Sequence, residues 1–428
     1  MAIPTTAQIA ACAAGVGAHA DATEAASLAA VACRTRLGEN ADVAMVFLSK
    51  ALADGAGEIA SVVHEILAPK AVIGVSGDGV VEGSREFEDA PAVSIWAARM
   101  PGVEFSTFDD EDLALGTPRD PGEPLELDPI GSENLRATFV FADPRSIPTI
   151  RVVPALNRAI RRPGLDRALQ PVLLGGLASG GTDDNRCALI RDRSAKRRGL
   201  VGLNIHGNVR VENIVSQGCR PVGPNFVITK AKNNVILELG GKPAAAALHE
   251  VIEQLAQRER SLLSRGLFIG RVVNEYKDRF GRADYLIRAV VGVDRAMSAI
   301  GVGDLMRVGQ TVRFHVRDAA TAHEDLGMLL DSQQLRDPPL GAIMITCNKR
   351  GCALFGGPHH DASMVSRAFQ GMPAGEDLAK AGRSISPSGG TSDELPMAGF
   401  FAAGEFGPVG DESYVHGHTA CVTMFRKL

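Results

Sequence analysis

The chain has 428 residues, too many for one ordinary hydrophobic core, so its length predicts two domains. Hydrophobic residues make up 45% and charged residues 22%, a globular composition that excludes disorder over most of the chain. The formal net charge of -5 leaves no electrostatic footprint for nucleic acid or an acidic membrane.

Seven cysteines without a C-x-x-C pair point to reduced thiols and a cytoplasmic setting. The N-terminus has neither the basic nor the apolar region of a secretory leader, and no apolar run is long enough to span a bilayer. In chain order, the alanine-rich first 37 residues carry helical spacing, with Thr5 and Thr6 as capping residues. Residues 41–49 read as a buried strand, 57–68 as an amphipathic helix and 71–76 as a second strand, together a βαβ unit. Residues 92–98 alternate like an antiparallel strand, and the Pro-, Gly- and acid-rich stretch 109–133 reads as a surface loop. The basic run Arg191–Arg198 has no interleaved aromatics and reads as a solvated turn.

Between 137 and 240 strand signals follow one another closely, which predicts antiparallel hairpins, one with His206, Gly207 and Asn208 at its tip. Residues 242–259 form a strong helical pattern with Pro243 in the first turn, and open the second half. That half repeats the grammar: strands near 267, 285, 311 and 341, a helix over 319–335 with Asp318 as its cap, and a helix after Asp361. Residues 371–394 read as a mobile insertion, and "MAGFFAA" and "HTACVTMF" as the last strands. Strands outnumber helices in both halves. The expected fold class is α+β/α/β, two layered halves with mixed, largely antiparallel sheets flanked by helices.

No G-x-x-x-x-G-K-[ST] and no H-E-x-x-H occurs. "GVSGDG" (74–79) approaches a nucleophile elbow around Ser76, but Asp78 stands where the second glycine of G-x-S-x-G belongs. It reads as a glycine turn, whose N–H groups are also able to face an oxyanion. "CNKRGCALFGGPHHDA" (347–362) is the densest chemical cluster. Cys347 ends an apolar strand, Arg350 lies in a glycine turn, and His359, His360 and Asp361 precede a helix. A thiol nucleophile with a histidine base needs those groups to converge, whereas a buried thiol and an Asp361 helix cap need nothing further. Arg350 is equally readable as a fork for a ligand carboxylate and as a solvent-facing side chain. In "GFFAAGEFGPVG" (399–410), Glu405 stands between two readings, ligand contact and an ion pair with Arg288 or Arg317. His416 and His418, two apart, would share a strand face and, with His359 or His360, are candidates for a metal or haem site. No residue is assigned to a metal. In "VSQGCRPVGPNF", Gln217, Cys219 and Arg220 precede stiff Pro-Gly turns.

Taken in order, "VAMVFLS", "AVIGVSGDGVVEGSREFEDAPAVSIWAA", "VLLGGLASGG", "VSQGCRPVGPNFVITKAKNNVILELGGKPA", "DYLIRAVVGVD", "GQTVRFHVRDAATAHEDL", "TCNKRGCALFG" and "MAGFFAAGEFGPVG" resemble the FIST family of small-ligand sensory proteins. The resemblance covers about residues 40 to 428. It implies a FIST N-like domain over 1–240 and a FIST C-like domain over 241–428. It also implies intracellular signal transduction, with an amino acid or related metabolite as ligand. Some relatives are haem-associated gas sensors, which makes haem a candidate cofactor. The candidate ligand-binding residues are Cys347, Asn348, Arg350, Glu405, Gln217 and Arg220, whose positions the resemblance carries over, together with His359 from the 347–362 cluster. Two departures are Val75, where relatives often have Cys, and Lys349, where Gly is commoner. The expected partners are a small-molecule ligand and a separate signalling protein or another copy of the chain, with no nucleic acid and no membrane. The rival reading is a hydrolase or transferase with Cys347 or Ser76 as nucleophile and His359 or His360 as base.

Overall fold

The strands Val43–Ser49 and Ala71–Gly77 are apolar and buried along their whole length, and they pair in parallel across the helix Ala56–Leu67. This is the βαβ unit that the pattern predicts, in a computed structural model that describes residues 10–113, 115, 125–166, 169–180, 187–263, 266–370 and 394–428. Ala92–Arg99 adds antiparallel to Val43–Ser49, and Ala11–Ala18 pairs beyond it. That outer strand corrects the reading of residues 1–37 as helix. Eight cross-strand partners override the helix propensity of the alanines, and the helix begins only at Ala22, capped by Asp21, which accepts from the Glu24 N–H at 2.9 Å. Thr5 and Thr6 lie outside the described residues, as do residues 371–393.

This first sheet is one of three six-stranded sheets, and the fold is mixed α+β with largely antiparallel pairing and flanking helices. The second orders Glu412–His416, Gly404–Val409, Val172–Leu177, Leu135–Ala142, Leu200–Gly207 and Val103–Asp109. The third orders Val209–Ser216, Ala420–Lys427, Gly341–Cys347, Met397–Ala402, Val80–Glu82 and Arg85–Phe87. Strands from both sides of residue 240 thus share two of the sheets. Each sheet sends one face into a common core. Phe47, Phe141 and Phe400, one from each sheet, meet with ring centroids 5.6–5.8 Å apart. Phe425 of the third sheet likewise stacks on Trp96 of the first and Phe139 of the second, with centroids 4.6 and 6.2 Å apart. Buried aromatic rings are worth about 0.5–1.5 kcal/mol per pair beyond their area, so this three-way seam holds the sheets together.

The helices cover the outer faces. Helices Ala22–Leu37 and Ala56–Leu67 pack on the first sheet. Helix Thr149–Ile160, which the strand-by-strand reading missed, packs on the second. Helices Ala319–Gln334 and His360–Ala368 pack on the third. Asp318 caps the helix Ala319–Gln334 as its position predicts, accepting from the Thr321 N–H at 2.7 Å. The hairpin expected at His206–Asn208 is absent. Leu200–Gly207 pairs within the second sheet, and Val209–Ser216 pairs with Ala420–Lys427 in the third. The turn therefore hands the chain from one sheet to another, which local spacing does not distinguish from a hairpin.

Residues 219–317 build a separate barrel. Cys219–Lys232, Thr311–Arg317, Leu267–Val272, Tyr285–Asp294, Ala299–Val302 and Val235–Leu239 pair in sequence, and the last returns to the first. The helix Ala244–Gln254 packs Ala247, Leu248 and Val251 against its apolar residues Ile269, Ile300 and Phe314. Among the described residues, no helix is long and apolar enough to cross a membrane.

Candidate functional site

The glycine run begins in the third sheet and ends in the second. Met397–Ala402 pairs in parallel with Gly341–Cys347, and Gly404–Val409 pairs with Val172–Leu177. A side chain at Gly399 would put its Cβ 1.7 Å from the Met344 carbonyl oxygen, so the close strand approach requires glycine. The crossover places Glu405 beside the end of the strand that carries Cys347.

Three residues singled out from the sequence, Cys347, Arg350 and Glu405, share this buried neighbourhood, and half-buried Asn348 stands at its edge. Arg350 is fully buried, so the solvent-facing reading is wrong. Its Nε donates to Asp361 Oδ2 at 2.5 Å and its Nη2 to Asp361 Oδ1 at 3.0 Å, and the guanidinium also lies against the Phe355 ring. Asp361 is therefore an ion-pair partner rather than a helix cap, and the cap position belongs to His359. Burial alone would raise the Asp361 carboxyl, but the Arg350 charge, with His360, overrides it and holds Asp361 at about 2. Gly218, at φ 63°, lets the backbone pass Arg350, because a Cβ there would lie 2.9 Å from Nη1.

Glu405 is fully buried, with Oε2 accepting from the Thr419 N–H at 3.3 Å and Oε1 without a hydrogen-bond partner. Burial pushes its carboxyl up to about 8, only partly offset by Thr419, the neighbouring Cys347 thiol and the Arg350 charge. Burial thus favours its neutral, protonated form. The expected ion pair with Arg288 or Arg317 does not form. Arg288 pairs with Asp304, and Arg317 donates to His418 Nδ1 at 2.8 Å and to the Lys349 carbonyl at 2.9 Å. Cys347 is buried, and burial followed by the Glu405 charge pushes its thiol up to about 12, which leaves it unactivated as a nucleophile. Ser76 is buried too, and its Oγ accepts from the Ala188 N–H.

Asn348 faces a smaller depression of about 300 Å³ with Lys50, Asp78 and Ser179. Its Nδ2 donates to Asp78 Oδ2 at 2.7 Å, and Asp78 Oδ1 accepts from Lys50 at 2.9 Å. The remaining residues singled out are engaged elsewhere. Gln217 clamps the barrel strand Tyr285–Asp294, donating to the Tyr285 carbonyl and accepting from the Ile287 N–H. Arg220 pairs with Asp318 and Glu259. His359 Nδ1 accepts from the Glu86 N–H at 2.9 Å. His416 and His418 do not converge with them. His416 Nε2 bonds the Gly407 carbonyl, and His418 lies beyond the strand, at φ 66°. Among the described residues no group of three or more metal-ligating side chains is placed to hold an ion. The histidines expected to hold a haem iron thus face separate partners and do not converge on one iron.

A cleft of about 550 Å³ opens between the barrel and the second sheet. Phe268, Arg271, Arg288, Asp304, Tyr414 and His418 are among its lining residues. Ile269 pairs with Arg288, and Arg271 follows Ile269 by two, so both guanidiniums leave one face of the barrel. They share a single carboxylate: Arg288 Nε lies 2.8 Å from Asp304 Oδ2, and Arg271 Nη2 lies 3.8 Å from the same atom. Arg271 Nε is buried with no hydrogen-bond partner. The sequence reading named Arg288 only as a partner for Glu405 and missed Arg271. The two arginines lie on neighbouring paired strands, and their convergence depends on barrel register, which the sequence does not signal. His418 joins the cleft to the buried neighbourhood. Burial, then the Arg317 charge, pushes it down to about 4, so its neutral ring accepts from Arg317 while its carbonyl lies 3.5 Å from Arg350 Nη1.

The sequence matches known families in two successive parts. The FIST N domain model matches residues 42–242 and the FIST C domain model matches residues 244–408. The chain belongs to the FIST family, and that membership supports a general ligand-binding, sensory role. It is 36% identical to the uncharacterized protein Rv0628c of Mycobacterium tuberculosis over 96% of this chain and 98% of that protein. It is 34% identical to the uncharacterized protein Mb0898c of Mycobacterium bovis over 96% of this chain and 97% of that protein.

Proposed function

We propose that this protein is a sensor of a carboxylate-bearing metabolite of the amino-acid class, bound in the cleft between the barrel and the second sheet. The observation that carries the reading is the pair Arg271 and Arg288 sharing only Asp304, with Arg271 Nε buried and unpartnered. Two guanidiniums against one carboxylate leave a surplus positive charge in a partly desolvated cleft. A ligand carboxylate supplies the missing partner through bidentate bonds. Glu412, also on the cleft wall, offers an acceptor for an ammonium group. The apolar part of the wall, Phe268, Ile287 and Val153, suits a small side chain.

Sensing needs a ligand to favour one state of the protein over another. His418 is the element in reach of both sides, through its bond to Arg317 and its carbonyl near Arg350. A ligand that displaces His418 would alter the buried neighbourhood of Arg350, Asp361 and Glu405. The signal would then pass to a separate protein or to a second copy of the chain. The test is a thermal-shift screen of amino acids and small mono- and dicarboxylic acids against wild type and Arg271→Met. A ligand at about a hundred times its dissociation constant stabilises the folded state by about 2.7 kcal/mol. The expected result is such a shift in wild type and its loss in Arg271→Met. A wild type indifferent to every acid, or an equal shift in the variant, overturns the reading.

A further inference from the structure

We propose that His323 and His360 form a surface binding site for one divalent transition-metal ion of the zinc, nickel or copper type. The two residues come from packed helices: His323 is in the first turns of Ala319–Gln334 and His360 opens His360–Ala368. Their facing nitrogens, His323 Nδ1 and His360 Nε2, lie 3.1 Å apart, with ring centroids 5.2 Å apart and planes at 63°. An ion about 2.0–2.1 Å from each of two imidazole nitrogens, at angles from square to tetrahedral, needs nitrogens about 2.9–3.4 Å apart and centroids about 4.5–5.2 Å apart. The pair already meets both conditions.

The surroundings supply what a metal-binding histidine requires. His360 Nδ1 bonds Asp361 Oδ1 at 3.0 Å. Nδ1 thus carries the proton, and Nε2 is left with its lone pair directed at His323. A carboxylate on the far nitrogen is the arrangement that fixes tautomer and ring orientation in metal sites and strengthens the ligand. Asp361 is itself fixed by its two bonds from the fully buried Arg350. On its face, the His360 ring stacks on Phe355, with centroids 3.5 Å apart and planes at 12°. One ligand is therefore held from two directions before any ion arrives. His323 is exposed and the His360 side chain retains 22% of its surface, so ion and water reach the gap. Two protein nitrogens leave the remaining positions to water or to a ligand atom. Imidazole donors favour zinc, copper and nickel over magnesium or calcium. In the metal-free protein the same gap is bridged by a proton between the two nitrogens, and an ion binds by displacing it. The site stands independently of the cleft, because neither histidine lines it.

The test uses the untagged full-length chain, titrated with nickel and zinc chloride by calorimetry and with copper chloride by visible absorption. The expected result is one ion per chain, with an imidazole-to-copper signature, and affinity reduced about tenfold or more in His323→Ala and in His360→Gln. His323→Ala alters an exposed side chain and should fold as wild type does, which circular dichroism checks. His249→Ala, at an exposed His–Glu pair on another helix, should bind as wild type does. Absence of stoichiometric binding to wild type, unchanged affinity in His323→Ala, or an equal loss in His249→Ala overturns the proposal.

Discussion

Replacing Asp361 by Ala removes the carboxylate that, among the described residues, is bonded to the Arg350 guanidinium, which has no access to water. Both partners are essentially unexposed, and the two bonds are 2.5 and 3.0 Å long. Breaking a buried pair from one side leaves an uncompensated charge and costs about 3–5 kcal/mol. For 428 residues unfolding together, at about 2.1 cal/mol/K of unfolding entropy per residue, that lowers the melting temperature by about 3–6 °C. The double variant Arg350→Met/Asp361→Leu removes both charges and should recover most of the loss, because apolar replacement of a whole buried pair is close to neutral. The pair also sets a pH window. Asp361 has a folded value of about 2 against an ordinary 3.8. Its depressed carboxyl therefore contributes stability that is complete above about pH 4 and is lost as pH falls towards 2, about 2 kcal/mol in all. Calorimetric melting and urea denaturation of wild type, single and double variants measure these quantities. A single variant costing under about 1 kcal/mol, or a double variant no better than the single, refutes the reasoning.

Glu405→Gln probes a carboxyl whose folded value is raised to about 8 from 4.5. Below pH 4.5 both states hold the proton and the group is neutral to stability. Between 4.5 and 8 only the unfolded chain releases it, so wild type loses stability relative to Glu405→Gln, and the gap is constant above 8. Denaturation curves at pH 5, 7 and 9 check this, and a flat difference contradicts it. Gly218→Ala should cost about 1–3 kcal/mol from a strained left-handed backbone and contact with Arg350, read as a shifted urea midpoint. Among Cys347, Cys421 and Cys352, a thiol reagent on native protein should modify exposed Cys352 first, with peptide mapping as the readout; rapid modification of Cys347 would restore its candidacy as a nucleophile.

Local pattern carried the βαβ unit, the capped helix Ala319–Gln334 and the strands around Cys347, because each is encoded by spacing over a few residues. It failed where distant pairing decides. Ala11–Ala18 has helical composition but a strand partner some eighty residues away. His206–Asn208 has hairpin chemistry but joins two different sheets. For the same reason the sequence brought Cys347 and Arg350 to attention, yet could not say that Arg350 was buried against Asp361. Glu405 was recognisable as a lone acid among glycines. That it would be left without a cation follows from Arg288 being drawn to Asp304 and Arg317 to His418, facts of barrel register and sheet packing. Arg271 and Asp304 left no mark in sequence, since they meet only when the barrel closes.

The cleft is tested most directly by the structure of the complex with whichever acid gives the largest thermal shift. The expected result is the ligand carboxylate bonded to both Arg271 and Arg288, with His418 against the ligand. A ligand seated instead in the depression of Lys50, Asp78 and Asn348, or anywhere out of reach of both arginines, would contradict the assignment.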